Sequence, residues 1–484
     1  MTDPVSYSIN TDIPLSYMQK LFDYIYTQYL MLQKQRFTNI NRETSAQGDY
    51  LSYTIVDTKG KQLVKVELKS GNPIDVKVTP VDPAVSPQII EEAKQDVIIS
   101  TQIFRENTKK ATVYFAWREG EEIIPEAYQK PEKSFNRLFL ETQVLFFIVF
   151  IFFGIAIFIG ITAFYPSYFW VAPIILIGIQ GIFVLFSNNF IARTADWKIT
   201  EDNPIIHLLE YYLPVNEEAD FKKKYSQAQL LAIKKEIYDE ILAKRGEVDI
   251  AAAQQVFSNH GIPCQLENLK AKKINVYGLV KSIAEMFSFP MPKIVVSNTM
   301  IPNAAASGPS PKRGLVLITT GLLVQLDENE ILSVLGHEFG HLKGRDPLIL
   351  FGLVSAEFLF RFYVLLQFFP IVFTTLLFFV YFWAIMVVIF FIAKFFEARA
   401  DLVSANVVGT PLVLAGSLEK IGFQRLLFER RPSFRFQEWL GLDPHPPIYF
   451  RVDRLEKLPP GKVKHPLIQS IKDVIKGFIA TLKG

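Results

Sequence analysis

Apolar positions dominate two long stretches of this chain. From Thr142 to Ala192 no charged residue occurs, and Tyr165-Pro166-Ser167 divides the run into segments near 143–164 and 170–190. Each holds about the 20 residues that a helix needs to cross a bilayer core. A second block runs from Leu348 to Ala393, with its expected turn at Gln367-Phe368-Phe369-Pro370. It yields two more spans, near 348–367 and 371–394. Core helices of soluble proteins rarely stay so apolar for so long, so the pattern predicts four transmembrane helices in two hairpins.

Elsewhere the periodicity is that of water-facing structure. Ile13–Arg36 repeats in helical fashion, as does Ser86–Phe104 with Pro87 in its first turn. Tyr50–Val56 and Gln62–Leu68 alternate as strands around the turn Asp57-Thr58-Lys59-Gly60, with further strands near Ile74–Val78 and Ala111–Trp117. Residues 1–138 thus read as an N-terminal α+β domain. Residues 195–346 read as mostly helical, with strand-like Lys293–Ser297 and Gly314–Thr319. The expected organisation is 1–138, a first hairpin over 139–194, a soluble region over 195–346, a second hairpin over 347–396, and 397–484. In the last segment Leu467, Ile471, Val474, Ile475 and Phe478 form a helical stripe, expected to dock on protein.

Composition narrows the class. Half of the 484 residues are hydrophobic and only 20% charged, against about 25% charged in an ordinary soluble domain. That excludes a disordered chain and favours a part-membrane, part-aqueous protein. A net charge of +3 leaves no global footprint for nucleic acid. The single cysteine, Cys264, excludes an internal disulfide and a cysteine-zinc cluster. Asp3, Asp12, Lys20 and Asp23 break any apolar signal-peptide core, so insertion is expected to rely on the internal spans. Lys130, Lys133, Arg137, Arg193, Lys198, Lys343, Arg345, Lys394 and Arg399 flank the spans on one side, whereas the hairpin turns carry no basic residue. Both termini and the region between the hairpins are therefore expected in the cytoplasm, in a multi-pass protein of the cell membrane.

The chemistry concentrates in Gly336-His337-Glu338-Phe339-Gly340-His341. On a helix, positions four apart share a face, so both imidazoles can reach one metal ion, and Glu338 can address a water beside it. Asp327 with Glu330 forms a capping box, Ile331, Val334 and Leu335 supply a buried stripe, and Gly344 is expected at the C-cap. A zinc site of this kind needs a third protein ligand. Glu397 is the candidate, with Asp401 one turn later on the same face. The interval from His341 accommodates two membrane crossings, which return Glu397 to the side holding the histidines.

These residues resemble an HtpX-type integral membrane zinc metallopeptidase, a relative of the CAAX prenyl endopeptidases. The likeness covers roughly residues 140–456. It rests on His337-Glu338-x-x-His341, on Glu397-x-x-x-Asp401 after a hairpin, on Pro302-Asn303-Ala304-Ala305-Ala306-Ser307-Gly308, and on His445-Pro446-Pro447 with Arg451. It implies one zinc ion held by His337, His341 and Glu397, with Glu338 as general base and Asp401 orienting a ligand histidine. It implies that His445 and Arg451 help hold the oxyanion, and that Asn303, Ala304 and Ala305 form an edge where an extended substrate pairs. Ala305 stands where the family usually has an aromatic, which would relax that edge. The implied fold is an α-helical multi-pass membrane protein with a mostly helical, zincin-like catalytic domain.

The resulting expectation is a zinc endopeptidase that cuts membrane or misfolded polypeptides near the cytoplasmic surface. Its partners would be polypeptide substrates and membrane lipids, not nucleic acid; no feature specifies an oligomeric state. A site-2-type protease would carry the motif within an apolar span, whereas here Asp327–Glu330 and Lys343–Asp346 bracket it with charge. A prenyl-protein endopeptidase, or a non-catalytic scaffold that retains the fold, would also carry these motifs; the former usually has more spans. Glu357 and Arg361, four apart in the third span, read as an ion pair or as the lining of a substrate groove.

Overall fold

A computed structural model describes residues 4–120, 156–213 and 220–483, apart from runs of one to three residues within them. The N-terminal part is a five-stranded antiparallel sheet. Its strands are β1 (Val5–Ile9), β2 (Phe37–Ser45), β3 (Gly48–Val56), β4 (Gln62–Lys69) and β5 (Ile74–Pro80), in the order β1-β5-β4-β3-β2. Helices α1 (Met18–Tyr24), prolonged by further turns to Gln33, and α2 (Pro87–Lys109) pack on it. The period-two pattern of β4 turns Val64, Val66 and Leu68 inward against Leu21, Phe22 and Val97, and leaves Lys65 and Glu67 outside. Strands β1 and β2 are the two edge strands and are not among those expected; β2 is largely polar, whereas β1 alternates Val5, Tyr7 and Ile9 with serines over only five residues.

The strand expected at Ala111–Trp117 forms as β6 (Val113–Arg118) but does not join that sheet, which corrects its assignment to the N-terminal module. It pairs antiparallel with the later strand Ile205–Tyr211, a partner too distant in sequence for any local pattern to name. Downstream come α3 (Ala172–Thr194), β7 (Trp197–Ile199), β8 (Ile205–Tyr211), α4 (Gln227–Ile237), α5 (Ile250–Asn259), β9 (Leu269–Asn275) and α6 (Val276–Phe287). Then follow β10 (Lys293–Ser297), β11 (Ala304–Ser307), β12 (Leu315–Thr319) and α7 (Glu328–Gly344). Strands β6-β8-β9 form one antiparallel sheet; β11-β12-β10-β7 form a second, in which β10 and β12 run parallel. The region is therefore less helical than its periodicity suggested. Strand β8 is buried almost throughout, and a short continuous apolar run does not distinguish strand from helix.

One core joins these elements. Ile206 and Leu208 of β8, Val296 of β10, Val316 and Ile318 of β12, Leu335 and Phe339 of α7 and Val403 of the long helix described next all belong to it. The motif helix α7 thus lies on a sheet, with its histidine face turned away towards the second hairpin.

That hairpin consists of α8 (Asp346–Phe360), continued by further helical turns to Phe368, and α9 (Leu377–Val407). Both are long and apolar enough to cross a membrane. A third candidate is α3, whose two parts, Ala172–Leu185 and Ser187–Arg193, meet at 51°. The first expected span, near 143–164, lies largely outside the described residues. Glu357 and Arg361 are paired, with Nε 3.0 Å from Oε1, and Tyr381 of α9 donates to the same carboxylate at 2.8 Å. The chain ends in α10 (Pro411–Ile421), α11 (Phe423–Glu429), α12 (Pro432–Leu440), α13 (Ile448–Glu456) and α14 (Pro466–Lys483).

Candidate metal centre and active site

Helix α7 begins with the anticipated capping box. Asp327 Oδ1 accepts from the Glu330 backbone N–H at 2.9 Å, and Glu330 Oε2 accepts from the Asp327 N–H at 3.0 Å. Gly344 is not its cap; Arg345, at φ 55°, takes the left-handed position. Gly344 instead makes room for Arg399, whose guanidinium occupies the space a Cβ would need. It belongs to a row, Gly336, Gly340 and Gly344, on the side of α7 that faces α9. A Cβ at Gly340 would stand 3.0 Å from Ala400 Cα, and one at Gly336 would meet Ser404 and Val408. Without these side chains the two helices approach closely enough for a carboxylate on one to reach imidazoles on the other.

Glu397 makes that reach. Its Oε2 is 3.3 Å from His337 Nε2 and its Oε1 3.3 Å from His341 Nε2, while the two Nε2 atoms are 3.1 Å apart. The remaining ring nitrogens face carboxylates: His337 Nδ1 lies 2.9 Å from Asp401 Oδ1, and His341 Nδ1 lies 2.7 Å from Asp346 Oδ2. An ionised carboxylate only accepts, so each Nδ1 carries the proton and each Nε2 presents its lone pair. Two lone pairs and a carboxylate converging on one point repel one another unless a cation lies between them. Glu397 Oε2 is moreover buried without a hydrogen-bond partner among the described residues. This donor set fits zinc, whose ligands are imidazole nitrogen and carboxylate oxygen in such sites.

Both imidazole-orienting carboxylates are themselves held. Arg451 grips Asp401 through Nε at 2.9 Å and Nη2 at 2.7 Å, so its fork is committed to that carboxylate, and Nη1 stays 3.8 Å from Glu397. Arg399 donates to Asp346 at 2.6 Å and to the Gly340 carbonyl at 3.1 Å. Asp346 and Arg399 were not singled out by the sequence pattern. The run Lys343-Gly344-Arg345-Asp346 looked like a charged bracket, and only the αL turn at Arg345 directs the carboxylate back onto His341.

Glu338 sits on the neighbouring face of α7, and its Oε2 accepts the Ala306 backbone N–H of β11 at 2.8 Å. Strand β11 pairs with β12 on one side, Ala304 opposite Ile318 and Ala305 opposite Leu317, and is the edge of its sheet. Asn303, just before it, is fixed through its backbone to Thr319. His445 arrives from the loop after α12 with Nε2 3.7 Å from Glu397 Oε1. Its Nδ1 is 2.8 Å from Asp443 Oδ1, and Arg425 Nη1 donates to Asp443 Oδ2 at 2.6 Å. Burial works against a charged His445, but Glu397 and Asp443 raise its pKa above the usual histidine value. Burial likewise opposes ionisation of Asp443, yet His445 and Arg425 hold it well below the usual carboxylate range. The candidate set from the sequence is thus assembled in one place, with Arg451 behind Asp401 rather than at the open face.

Comparison with known proteins points the same way. Residues 270–459 match the family described as Peptidase family M48. A "Protease HtpX homolog" from Thermodesulfovibrio yellowstonii is 41% identical over 80 residues, 16% of this chain and 28% of that protein. Proteins of the same description from Gemmatimonas aurantiaca and Tropheryma whipplei are each 29% identical, over 223 and 212 residues. Those two matches cover 38% of this chain and 75% and 72% of the respective relatives. The HExxH helix and the downstream glutamate lie inside the segment that matches Peptidase family M48, and over that region the chain is similar to proteins described as protease HtpX homologues.

Proposed function

We propose that this chain is a membrane-integrated zinc endopeptidase that hydrolyses peptide bonds of membrane or misfolded proteins near the cytoplasmic surface, in protein quality control. The observation that carries this reading is the convergence of His337 Nε2, His341 Nε2 and Glu397 beside Glu338 and a sheet edge. Zinc, when bound there, supplies Lewis-acid activation of water and of the scissile carbonyl. Glu338 takes the proton from the attacking water and delivers it to the leaving amine. Substrate lies as an added strand along Asn303, Ala304 and Ala305, with backbone groups of β11 as its partners. His445 donates from Nε2 towards the developing oxyanion, its ring fixed by Asp443. Asp401 and Asp346 keep the ligand imidazoles in the right tautomer, and Arg451 positions Asp401. The chain crosses the membrane four times, with the catalytic residues and both termini in the cytoplasm.

Metal analysis and casein cleavage by purified full-length protein test this reading. Wild type should hold about one zinc and cleave. Glu338→Gln should hold the same zinc and lose cleavage, and Glu397→Ala should lose the zinc. A wild-type protein that binds zinc but cuts neither casein nor any unfolded protein, while cutting a farnesylated peptide, would shift the assignment to a prenyl-protein endopeptidase. Zinc-loaded protein inert on both would be a scaffold.

A further inference from the structure

The C-terminal helix α14 has two apolar faces and fills only one of them. Ser470, Val474 and Phe478 face the protein, with Val474 and Ser470 fully buried. About a third of a turn round the helix stand Ile468, Ile475, Ile479 and Leu482, which are 54%, 41%, 43% and 55% exposed. The exposed lysines Lys472 and Lys476 border this second stripe. No described residue covers it.

Its surroundings identify what does. Helix α14 runs antiparallel beside α9. Arg454 bonds both Ala398 O, at 2.6 Å, and Ser470 Oγ, at 2.7 Å, so residues 398 and 470 are level. Eight residues further along α14, the Phe478 ring lies 5.4 Å from that of Phe391, in the direction of the membrane span. Lys394 is the first charged side chain after the apolar run of α9 and marks the edge of that run. At 1.5 Å per residue, Phe391 is about 4.5 Å inside that edge, and Leu482, four residues beyond Phe478, is about 10 Å inside. Lys472 and Lys476 fall within about 5 Å of the edge itself. Apolar side chains within about 5–10 Å of the surface, with lysines at headgroup level, describe an amphipathic helix sunk in the headgroup–acyl boundary.

We propose that the C-terminal half of α14 is immersed in the bilayer beside α9, with Ile475, Ile479 and Leu482 among the acyl chains and Lys472 and Lys476 at the headgroups. The catalytic part then grips the membrane through a helix that crosses nothing. This rests on α9 being a span, and the experiment separates the two ideas.

Full-length protein with Cys264→Ser and one introduced cysteine carries an environment-sensitive fluorophore and is reconstituted into phosphatidylcholine–phosphatidylglycerol nanodiscs. The positions are Ile479→Cys, Gln469→Cys on the polar side of α14, and Val380→Cys on the exposed face of α9. Lipids spin-labelled near the headgroup end of the acyl chain should quench position 479 about twofold or more, as expected for burial at that depth. They should leave position 469 unchanged, and lipids labelled deeper should quench position 380. Quenching at 380 without quenching at 479 overturns the immersion of α14 alone. No quenching at 380 overturns the span and this proposal with it. A fluorophore at 479 shielded from both lipid and aqueous quenchers would mean that polypeptide covers the stripe, which also overturns it.

Discussion

Gly340 lies between the two histidines proposed as zinc ligands and against the helix that carries Glu397, the proposed third, so Gly340→Ala tests the construction of the site most directly. The added Cβ would stand 3.0 Å from Ala400 Cα, 3.1 Å from Ala400 O and 3.2 Å from Ala400 Cβ. Two of these are backbone atoms of a long helix and cannot swing aside, so α7 and α9 must separate by a few tenths of an ångström. Glu397 is one turn from Ala400 on α9 and moves with it. Metal–ligand distances tolerate only about 0.2 Å. Overpacking of this kind costs about 1–3 kcal/mol, which in the affinity of the site is about 5- to 150-fold in Kd. Zinc competition against a chromophoric chelator, in detergent, measures it. Gly352→Ala, where a Cβ meets nothing within 4 Å, is the control and should leave Kd unchanged. A Gly340→Ala protein with native circular dichroism and wild-type zinc affinity would refute the argument that helix contact sets the ligand geometry.

Three further outcomes are expected. His445→Ala should keep zinc and peptide binding while kcat falls about 10²–10³-fold, as for loss of one oxyanion donor, with Asp443→Asn in between; unchanged kcat in the zinc-loaded variant would leave that donor unidentified. Arg451→Ala strands the buried Asp401 without its guanidinium partner, which should cost about 3–5 kcal/mol of stability and appear as a lower Tm; a normal melt with a purely catalytic defect would return Arg451 to the oxyanion. Membrane-impermeant thiol reagents should label a cysteine at Ser167 from outside and one at Lys343 only after the membrane is opened. Background from Cys264 should be low at about pH 8, because that thiol is buried and burial pushes its pKa up to about 11; the reverse labelling pattern would overturn the orientation.

What could be read along the chain was what depends on neighbours in sequence. The capping box of Asp327 and Glu330, the spacing of His337 and His341, and strands such as β4 and β10 are decided within one or two turns, and they formed as expected. What escaped depends on contacts between distant segments. Asp346 and Arg399 hold His341 only because α9 folds back on α7. Strand β6 finds β8 rather than the nearer N-terminal sheet because Phe115 and Trp117 bury against Leu209, Tyr211 and Phe257, a preference that no local pattern expresses. One nonlocal feature did leave a trace: Gly336, Gly340 and Gly344 recur every four residues, a stripe that only a close helix contact would require.

Under the proposed function, the long helix α9 would hold a water-dependent reaction at a lipid boundary. Its 31 residues extend about 46 Å, more than a bilayer core needs. From Leu377 to Glu397 is about 30 Å of helix, which matches the thickness of the hydrocarbon layer. Glu397 therefore falls where the apolar part of the helix ends, and the remaining turns carry Asp401 and Ser404 into the core beside α7. With one rigid element as both proposed membrane span and carrier of Glu397, the height of the proposed metal centre above the bilayer would be set by helix length rather than by a loop. An edge strand at that height would meet polypeptide emerging from the membrane before it can fold, and this gives the proposed substrate class a physical basis.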